Sequence, residues 1–84
     1  MSIHLILYGT DGCHLCDQAS ELLARPLAEG RITVTNTDIL DDPALEERYG
    51  IRIPVVQDAA SRQELGWPFD LDQLEEFLAQ LPGR

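Results

Sequence analysis

The stretch that decides the fold is Gly9-Thr10-Asp11-Gly12-Cys13-His14-Leu15-Cys16. It contains the only two cysteines of the 84-residue sequence and follows an apolar, strand-like run at residues 3–8. If Cys13 begins a helix, positions three apart are neighbours on one face, with Cβ atoms roughly 5–6 Å apart. A small local adjustment then allows a disulfide, which needs a Cβ separation of roughly 3.5–4.5 Å. The spacing therefore favours a redox-active cysteine pair over a structural disulfide.

Composition limits the classes to which the protein can belong. Eighty-four residues suffice for one core, so we expect a single domain over residues 1–84. Hydrophobic residues make up 44% and charged residues 25%, as in globular proteins, and two cysteines are too few for a stapled secreted scaffold. The apolar runs are far shorter than the roughly 20 residues of a membrane-spanning helix, and Met1-Ser2 leads into a strand pattern without a signal-peptide n-region. We expect a cytoplasmic monomer without a membrane partner.

The charge balance argues against nucleic acid as a partner. Fifteen Asp and Glu residues against six Arg residues, with no Lys, give a net charge of −9. Because nucleic-acid binding depends on cations that neutralise phosphates, this surface would repel a phosphate backbone. The acidity either keeps a small protein in solution or selects partners with a basic docking face, and both interpretations stay open.

Four short segments have the residue pattern of β-strands. The first is apolar on both faces, as in a strand covered by helices, and the second is rich in β-branched residues with one polar side. The third has a proline near its start, and the fourth is short and polar after a turn at residues 58–61. The predicted strands are residues 3–8, 31–37, 51–56 and 62–65.

The first helix begins at the cysteine motif, and its end is ambiguous. Apolar residues recur at helical spacing after Cys13. Pro26 disfavours helical angles at the preceding residue, so the helix either ends near Ala24 or continues beyond a kink to Gly30. The residues alone do not choose between these two ends.

Two further helices have clear terminal signals. The shorter one has an acidic N-cap at Asp41-Asp42 before Pro43 and a C-terminal stop at Gly50. The last helix follows Asp70, which can form a capping box with the glutamine three residues later, and it ends at Pro82-Gly83.

The resulting order of elements is β-α-β-α-β-β-α. The first βαβ unit requires parallel strands joined by a right-handed crossover, and the later hairpin adds an antiparallel edge. A four-stranded mixed sheet in the order 2-1-3-4, with the three helices distributed over both faces, satisfies these constraints. We therefore predict an α/β fold with this topology.

Three motifs, spread over nearly the whole sequence, carry a resemblance to a known family. They are Cys13-His14-Leu15-Cys16 between the first strand and helix, Ile53-Pro54-Val55 before the third strand, and Gly66 to Asp70 before the last helix. In these motifs the protein resembles the thioredoxin superfamily and, more closely, the glutaredoxin-like proteins. The resemblance implies a thioredoxin-like fold, with a cis Ile53-Pro54 bond that faces the two sulfurs.

The sequence departs from the usual glutaredoxin pattern at His14-Leu15 between the cysteines, at Arg52-Ile53 before Pro54, and at two positions of the glutathione site. Thr10 stands where a Lys or Arg usually precedes the first cysteine, and Trp67 stands where a second glycine usually follows Gly66. The resemblance implies that these changes remove two contacts by which the family holds glutathione. Arg52 either offers a replacement charge or is a structural partner for a nearby Asp. We expect no tightly bound cofactor. Glutathione is in doubt as the electron donor, and a reductase is the other candidate.

The predicted reaction is the reduction of a disulfide in a protein or a small molecule. Cys13 attacks as a thiolate and forms a mixed disulfide, which Cys16 then resolves. A helix N-terminus stabilises the thiolate, whereas the charges of Asp11 and Asp17 disfavour it. If these carboxylates face the sulfurs, we expect a reducing pair. The alternative is a redox-inactive interaction module with the same fold.

Other residues are assigned supporting roles around the cysteines. Ile53-Pro54, Gly66 and Asp70 are assigned to a substrate groove, and His14 either stabilises the thiolate or faces solvent. No metal site is expected, because zinc requires about four ligands and His4 is not expected to reach the motif. An iron–sulfur cluster shared between two subunits is a minor alternative.

Overall fold

The computed structural model describes residues 3–82 and confirms the predicted order of elements. Among these residues, no helix is long and apolar enough to cross a membrane. A 3-10 turn, Ile39–Asp41, follows the second strand and adds to the predicted set. The strands are β1 Ile3–Gly9, β2 Ile32–Asp38, β3 Val55–Asp58 and β4 Glu64–Gly66, and the helices are α1 His14–Ala28, α2 Pro43–Tyr49 and α3 Leu71–Gln80.

The four strands form one mixed sheet in the predicted order β2-β1-β3-β4. β1 is parallel to β2, with Ile3 opposite Ile32, and antiparallel to β3, with Tyr8 opposite Val55. β4 pairs with β3 in the antiparallel direction. Because β1 and β3 are antiparallel neighbours, the carboxyl end of β1 and the amino end of β3 meet at one end of the sheet, where the cysteine motif follows.

Apolar residues on both sides of β1 explain why helices cover both faces. Leu5 and Leu7 belong to a buried cluster that also holds Leu23 of α1 and Leu78 of α3. Because successive side chains on a strand point to opposite faces, Tyr8 belongs to a different cluster. Its partners there include Ile39, Tyr49 and Val55. The first cluster packs α1 and α3 on one face, and the second packs α2 on the other.

Pro26 does not end α1, so the second of the two predicted ends is the observed one. The helix continues through the proline to Ala28, and the backbone N–H of Glu29 donates to the carbonyl of Arg25 at 3.1 Å. The ring of Pro26 is fully buried. The proline lacks the N–H that would donate to the carbonyl four residues earlier, and burial of its apolar ring acts against that loss.

The third strand begins later than predicted, at Val55 instead of Ile51. The backbone N–H groups of Arg52 and Ile53 both donate to the carbonyl of Tyr49, at 2.7 and 3.2 Å, so this segment is a turn that follows α2. Ile51 is fully exposed, although it was assigned to a buried strand. The predicted start at residue 51 was therefore wrong, because turn hydrogen bonds replaced the strand ladder that the apolar residues indicated.

The turn between β3 and β4 is stabilised by a buried carboxylate. Asp58 is 3% exposed, and its Oδ2 accepts hydrogen bonds from the backbone N–H and the hydroxyl of Ser61, at 3.0 and 2.6 Å. Arg62 has a φ of 66° and belongs to this turn. The fourth strand therefore begins at Glu64, two residues after the predicted start.

The capping box predicted for the last helix is present. The side chain of Asp70 accepts from the backbone N–H of Gln73 at 2.8 Å, and the side chain of Gln73 accepts from the backbone N–H of Asp70 at 2.9 Å. The helix ends at Gln80. The predicted stop signal was Pro82-Gly83, and Gly83 lies outside the described residues.

Candidate active site at the cysteine pair

The two cysteines lie at the first turn of α1, directly after the central strand. Cys13 is the N-cap residue, and its Sγ accepts a hydrogen bond from the backbone N–H of Cys16 at 3.1 Å. The two residues form a disulfide, with Cα atoms 5.2 Å apart. Cys13 is partly exposed and Cys16 is buried. Cys13 is therefore the sulfur that an incoming molecule reaches first.

Gly9 allows the end of β1 to approach the buried sulfur. A Cβ atom built at this position would lie 2.8 Å from the Sγ of Cys16 and 3.3 Å from its Cβ. Real Cβ atoms do not approach other heavy atoms so closely. Position 9 therefore requires glycine because the strand lies so close to the Cys16 side chain. Gly12 has a different reason, since its φ of 76° is a backbone angle that other residues rarely adopt.

The Ile53-Pro54 peptide bond is cis, as the family resemblance implied. The antiparallel register that places Tyr8 opposite Val55 also places Pro54 at the level of Gly9, next to the strand end that contacts Cys16. The carbonyl of Pro54 accepts from the backbone N–H of Trp67 at 3.1 Å. The cysteine motif, the cis-proline segment and the start of the Gly66 segment thus lie side by side at one edge of the sheet.

An acidic cleft lies on the β2 side of the cysteines. Its volume is about 410 Å³, and Cys16 and Gly9 contribute to its wall. Among the described residues that line it, every charged side chain is a carboxylate, namely Asp11, Asp17, Asp38 and Asp41. Asp11 and Asp17, which the sequence analysis singled out, therefore share a cleft with the buried sulfur.

The other predicted site residues have different surroundings. His14 is exposed at the first position of α1, and Gly66 is exposed with open space around its Cα. Ile53 packs against the cluster around Tyr8 on the α2 face, and Pro54 is fully buried. The carboxylate of Asp70 caps α3, as described above. The structure thus brings Pro54 and Gly66 to the site and gives Asp70 a structural partner.

Arg52 is held by neighbouring side chains. Its Nη2 donates to the Oε1 of Glu64 at 3.2 Å, and its guanidinium lies 5.4 Å from the centroid of the Tyr49 ring. From the sequence, one candidate role for Arg52 is a replacement charge for glutathione. In the structure its charge is already paired with a carboxylate on β4.

Tyr49 links this arginine to the core. Its ring stacks on that of Tyr8, with centroids 4.4 Å apart, and its hydroxyl donates to Glu64. Burial, followed by the hydrogen bond with Glu64, raises the pKa of Tyr49 to about 12. Tyr49 is therefore protonated at neutral pH and acts as a hydrogen-bond donor.

Comparisons with known proteins place this arrangement in a family. The sequence model of the Glutaredoxin-like domain matches residues 4–79. The chain belongs to the glutaredoxin-like domain family. None of the curated proteins matches it.

Solved structures support the same fold for this glutaredoxin-like chain. The X-ray structure of protein XcR50 from X. campestris has a TM-score of 0.82 and 46% identity, covering 93% of this chain and 99% of that one. Protein Ne2328 from Nitrosomonas europaea has a TM-score of 0.79 and 24% identity, covering 92% of each chain. Thioredoxin 1 from Thermosipho africanus has a TM-score of 0.62 and 13% identity, covering 90% of this chain and 94% of that one. The last two show the thioredoxin-like fold alone.

Sequence reasoning missed two parts of the glutaredoxin-like site. The cleft depends on the 3-10 turn after β2, whose N-cap Asp38 accepts from the backbone N–H of Leu40 at 2.9 Å. An aspartate directly after a β-branched run is a turn signal that predicts such a cap. The pairing of Arg52 with Glu64 joins the turn after α2 to β4, 12 positions later, and no local pattern indicates this glutamate as the partner.

Proposed function

We propose that this protein is a thiol–disulfide oxidoreductase that uses Cys13 and Cys16 to reduce disulfides in proteins or small molecules. One observation carries the proposal. The partly exposed sulfur of Cys13 caps the N-terminus of α1, and the buried Cys16 lies one turn later within disulfide distance. A helix N-terminus favours the thiolate over the thiol, and the thiolate is the nucleophile in disulfide exchange.

The reaction proceeds in two exchanges. The Cys13 thiolate attacks one sulfur of the substrate disulfide, forming a mixed disulfide and expelling the other substrate sulfur as a thiolate. The Cys16 thiolate then attacks the Sγ of Cys13, forming the intramolecular disulfide and releasing the second substrate thiol. Two electrons pass from the dithiol to the substrate, and an external reductant must restore the dithiol.

We propose a reductase as that electron donor, with glutathione the weaker candidate. Thr10 and Trp67 replace a basic residue and a glycine of the usual glutathione site, and the guanidinium of Arg52 is paired with Glu64. We also propose that the protein is a monomer and that it works in the cytoplasm, where thiols are kept reduced.

We further propose that the cysteine pair is reducing. Asp11 and Asp17 line the same cleft as Cys16, and nearby negative charge disfavours a thiolate. Because a stabilised thiolate is what makes a dithiol oxidising, this environment favours the disulfide form. A reduction potential well above that of glutathione, measured by equilibration in glutathione buffers, would contradict this part of the proposal.

Turnover of a small disulfide tests the function. We expect the protein to reduce bis(2-hydroxyethyl) disulfide with NADPH and thioredoxin reductase faster than the uncatalysed control. A parallel assay uses glutathione with glutathione reductase. Cys13→Ser should be inactive in both. If neither system reduces the oxidised wild-type protein, the proposed catalytic cycle is wrong, and the redox-inactive interaction module becomes the better description.

A further inference from the structure

Glu64 is the centre of a hydrogen-bonded cluster that reaches the cis-proline segment. Its Oε2 accepts from the Tyr49 hydroxyl and, at 3.3 Å, from Nε2 of Gln57, while its Oε1 accepts from Nη2 of Arg52 at 3.2 Å. The Oε1 of Gln57 in turn accepts from the hydroxyl of Tyr8 at 2.9 Å. We call Tyr8, Tyr49, Arg52, Gln57 and Glu64 the Glu64 cluster. Among the described residues, no buried side-chain nitrogen or oxygen lacks a partner, so the buried polar atoms of the cluster are all hydrogen-bonded.

The cluster holds Arg52 in one orientation. The side chain of Glu64 is 18% exposed, whereas that of Arg52 is 49% exposed, so a nearly buried carboxylate anchors a guanidinium at the surface. The guanidinium also lies over the Tyr49 ring, and the backbone N–H of Arg52 donates to the Tyr49 carbonyl at 2.7 Å. Ion pairs held by further contacts keep their geometry better than exposed pairs between flexible side chains.

Arg52 lies at the cysteine end of the sheet. It precedes Pro54 by two residues, and Pro54 lies at the level of Gly9, which contacts the buried sulfur. Arg48 of α2 is 5.5 Å from the same tyrosine ring. Two glutamates precede Arg48 in α2, so this helix adds net negative charge despite the arginine.

Carboxylates dominate the other side of the cysteines. The charged residues that line the cleft beside Cys16 are four aspartates, as described above. With Arg52 neutralised by Glu64, the surroundings of the cysteine pair carry a clear excess of negative charge. A field of one sign at a reactive centre raises the encounter rate of ligands with the opposite charge and lowers that of ligands with the same charge.

We propose that Glu64 is a specificity-determining residue: by neutralising Arg52, it leaves the cysteine pair in a negative field that selects cationic disulfides over anionic ones. This inference rests on the proposed function and names its substrate class. The exchange chemistry is unchanged, because Glu64 does not touch the sulfurs. Its charge acts on the approach of the substrate to Cys13.

Two small disulfides of opposite charge test the proposal. Reduced protein is mixed at low ionic strength with cystamine, a dication, or with 3,3′-dithiodipropionate, a dianion, and the second-order rate of thiol loss is measured for each. The rate with cystamine is divided by the rate with 3,3′-dithiodipropionate. This ratio is then divided by the same ratio measured with dithiothreitol, which corrects for the intrinsic reactivity of the two disulfides. We expect the wild-type ratio to favour cystamine.

Four variants separate charge from structure. Glu64→Gln leaves Arg52 unneutralised and should lower the ratio roughly two- to fivefold, the range expected for one charge near the surface. Tyr49→Phe removes a hydrogen bond to the same carboxylate without changing charge, so it should leave the ratio unchanged. Arg52→Gln should raise the ratio, and the double variant should return it to the wild-type value.

Either of two results would overturn the proposal. One is a ratio that is equal in wild type and Glu64→Gln, and the other is an equal shift in Glu64→Gln and Tyr49→Phe. If the protein is not a thiol–disulfide oxidoreductase, the result is different, because wild-type protein would then react with both disulfides no faster than dithiothreitol does. The ratio would still decide the charge preference in that case.

Discussion

Gly9 provides a quantitative test of how closely the sheet packs against the buried sulfur. In Gly9→Ala, the new Cβ would lie 2.8 Å from the Sγ of Cys16, whereas ordinary contacts begin at 3.4 Å. The strand end or the sulfur must therefore move by about 0.6 Å. Overpacking of this kind costs about 1–3 kcal/mol in well-packed sites. We expect the free energy of unfolding of the oxidised protein to fall by that amount.

The redox state should change the size of this effect. In the oxidised protein the disulfide holds the Sγ of Cys16 against Gly9. In the reduced protein the side chain is able to adopt another staggered rotamer, which relieves the overlap. We therefore expect Gly9→Ala to destabilise the oxidised form more than the reduced form.

Urea unfolding of both redox forms measures the effect, with Gly66→Ala as the matched control. Gly66 also lies in a strand at the cysteine end of the sheet, but nothing lies within 4 Å of a Cβ built there. Its replacement by alanine should change stability by no more than about 0.5 kcal/mol. Equal effects of the two substitutions, or an equal loss in both redox forms for Gly9→Ala, would refute the reasoning.

Three further predictions concern stability. Asp58→Ala leaves the N–H and hydroxyl of Ser61 without their acceptor and should cost about 1–3 kcal/mol by urea unfolding. Asp70→Ala removes the N-cap of α3 and should cost about 0.5–2 kcal/mol by thermal unfolding. Arg31 lowers the pKa of Glu75 below its usual 4.5, so the pair stabilises the fold above that pH, and this stabilisation is lost as the pH falls through the lowered pKa. The stability difference between wild type and Glu75→Gln should therefore be largest at neutral pH and vanish in acid.

Each of these predictions has a contradicting result. Asp58→Asn retains an acceptor oxygen and should cost less than Asp58→Ala, so equal losses would refute the hydrogen-bond argument. For Asp70, a loss of stability in Asp70→Asn as large as that in Asp70→Ala would contradict the capping role, because asparagine is also a good N-cap. For Glu75, a stability difference that is constant from neutral to acid pH would exclude the ion pair as its cause.

Most of the fold was predictable because its signals are local. The N-caps Asp42 and Asp70 mark helix starts through hydrogen bonds from backbone N–H groups two and three positions later. The alternation of Leu5 and Leu7 with Ile6 and Tyr8 indicates a strand buried on both faces. These elements, together with the rules for connecting parallel strands, leave few topologies, and the observed one is among them.

The start of β3 was predicted wrongly and the end of α1 was left open, because residue type alone does not decide between the local structures available to these two segments. Ile51 is apolar and β-branched, yet the hydrogen bonds from the two following residues to the Tyr49 carbonyl make its segment a turn. At Pro26 both helix ends were open from the sequence, and the structure shows the longer helix, with the proline ring buried near the end of α1. Turn hydrogen bonds decide the first case, and the second helix end is accompanied by burial of the proline ring.

The site was predicted in part. The cysteine pair follows from its spacing, and the cis peptide bond at Pro54 follows from the family resemblance. The neutralisation of Arg52 by Glu64 and the acidic cleft do not, because they bring together residues from separate elements. Charge at a site depends on such long-range pairs, and the sequence alone indicates only the net charge of −9.

The most direct test of the central claim is the rate at which each cysteine captures a disulfide. Reduced Cys16→Ser and Cys13→Ser are treated separately with bis(2-hydroxyethyl) disulfide at neutral pH, and the mixed disulfide is followed by intact-protein mass spectrometry. The exposure of Cys13 at the helix N-terminus predicts that Cys16→Ser accumulates a stable adduct on Cys13 while Cys13→Ser reacts slowly or not at all. Equal rates for the two variants, or a faster reaction of Cys13→Ser, would contradict the assignment of Cys13 as the nucleophile.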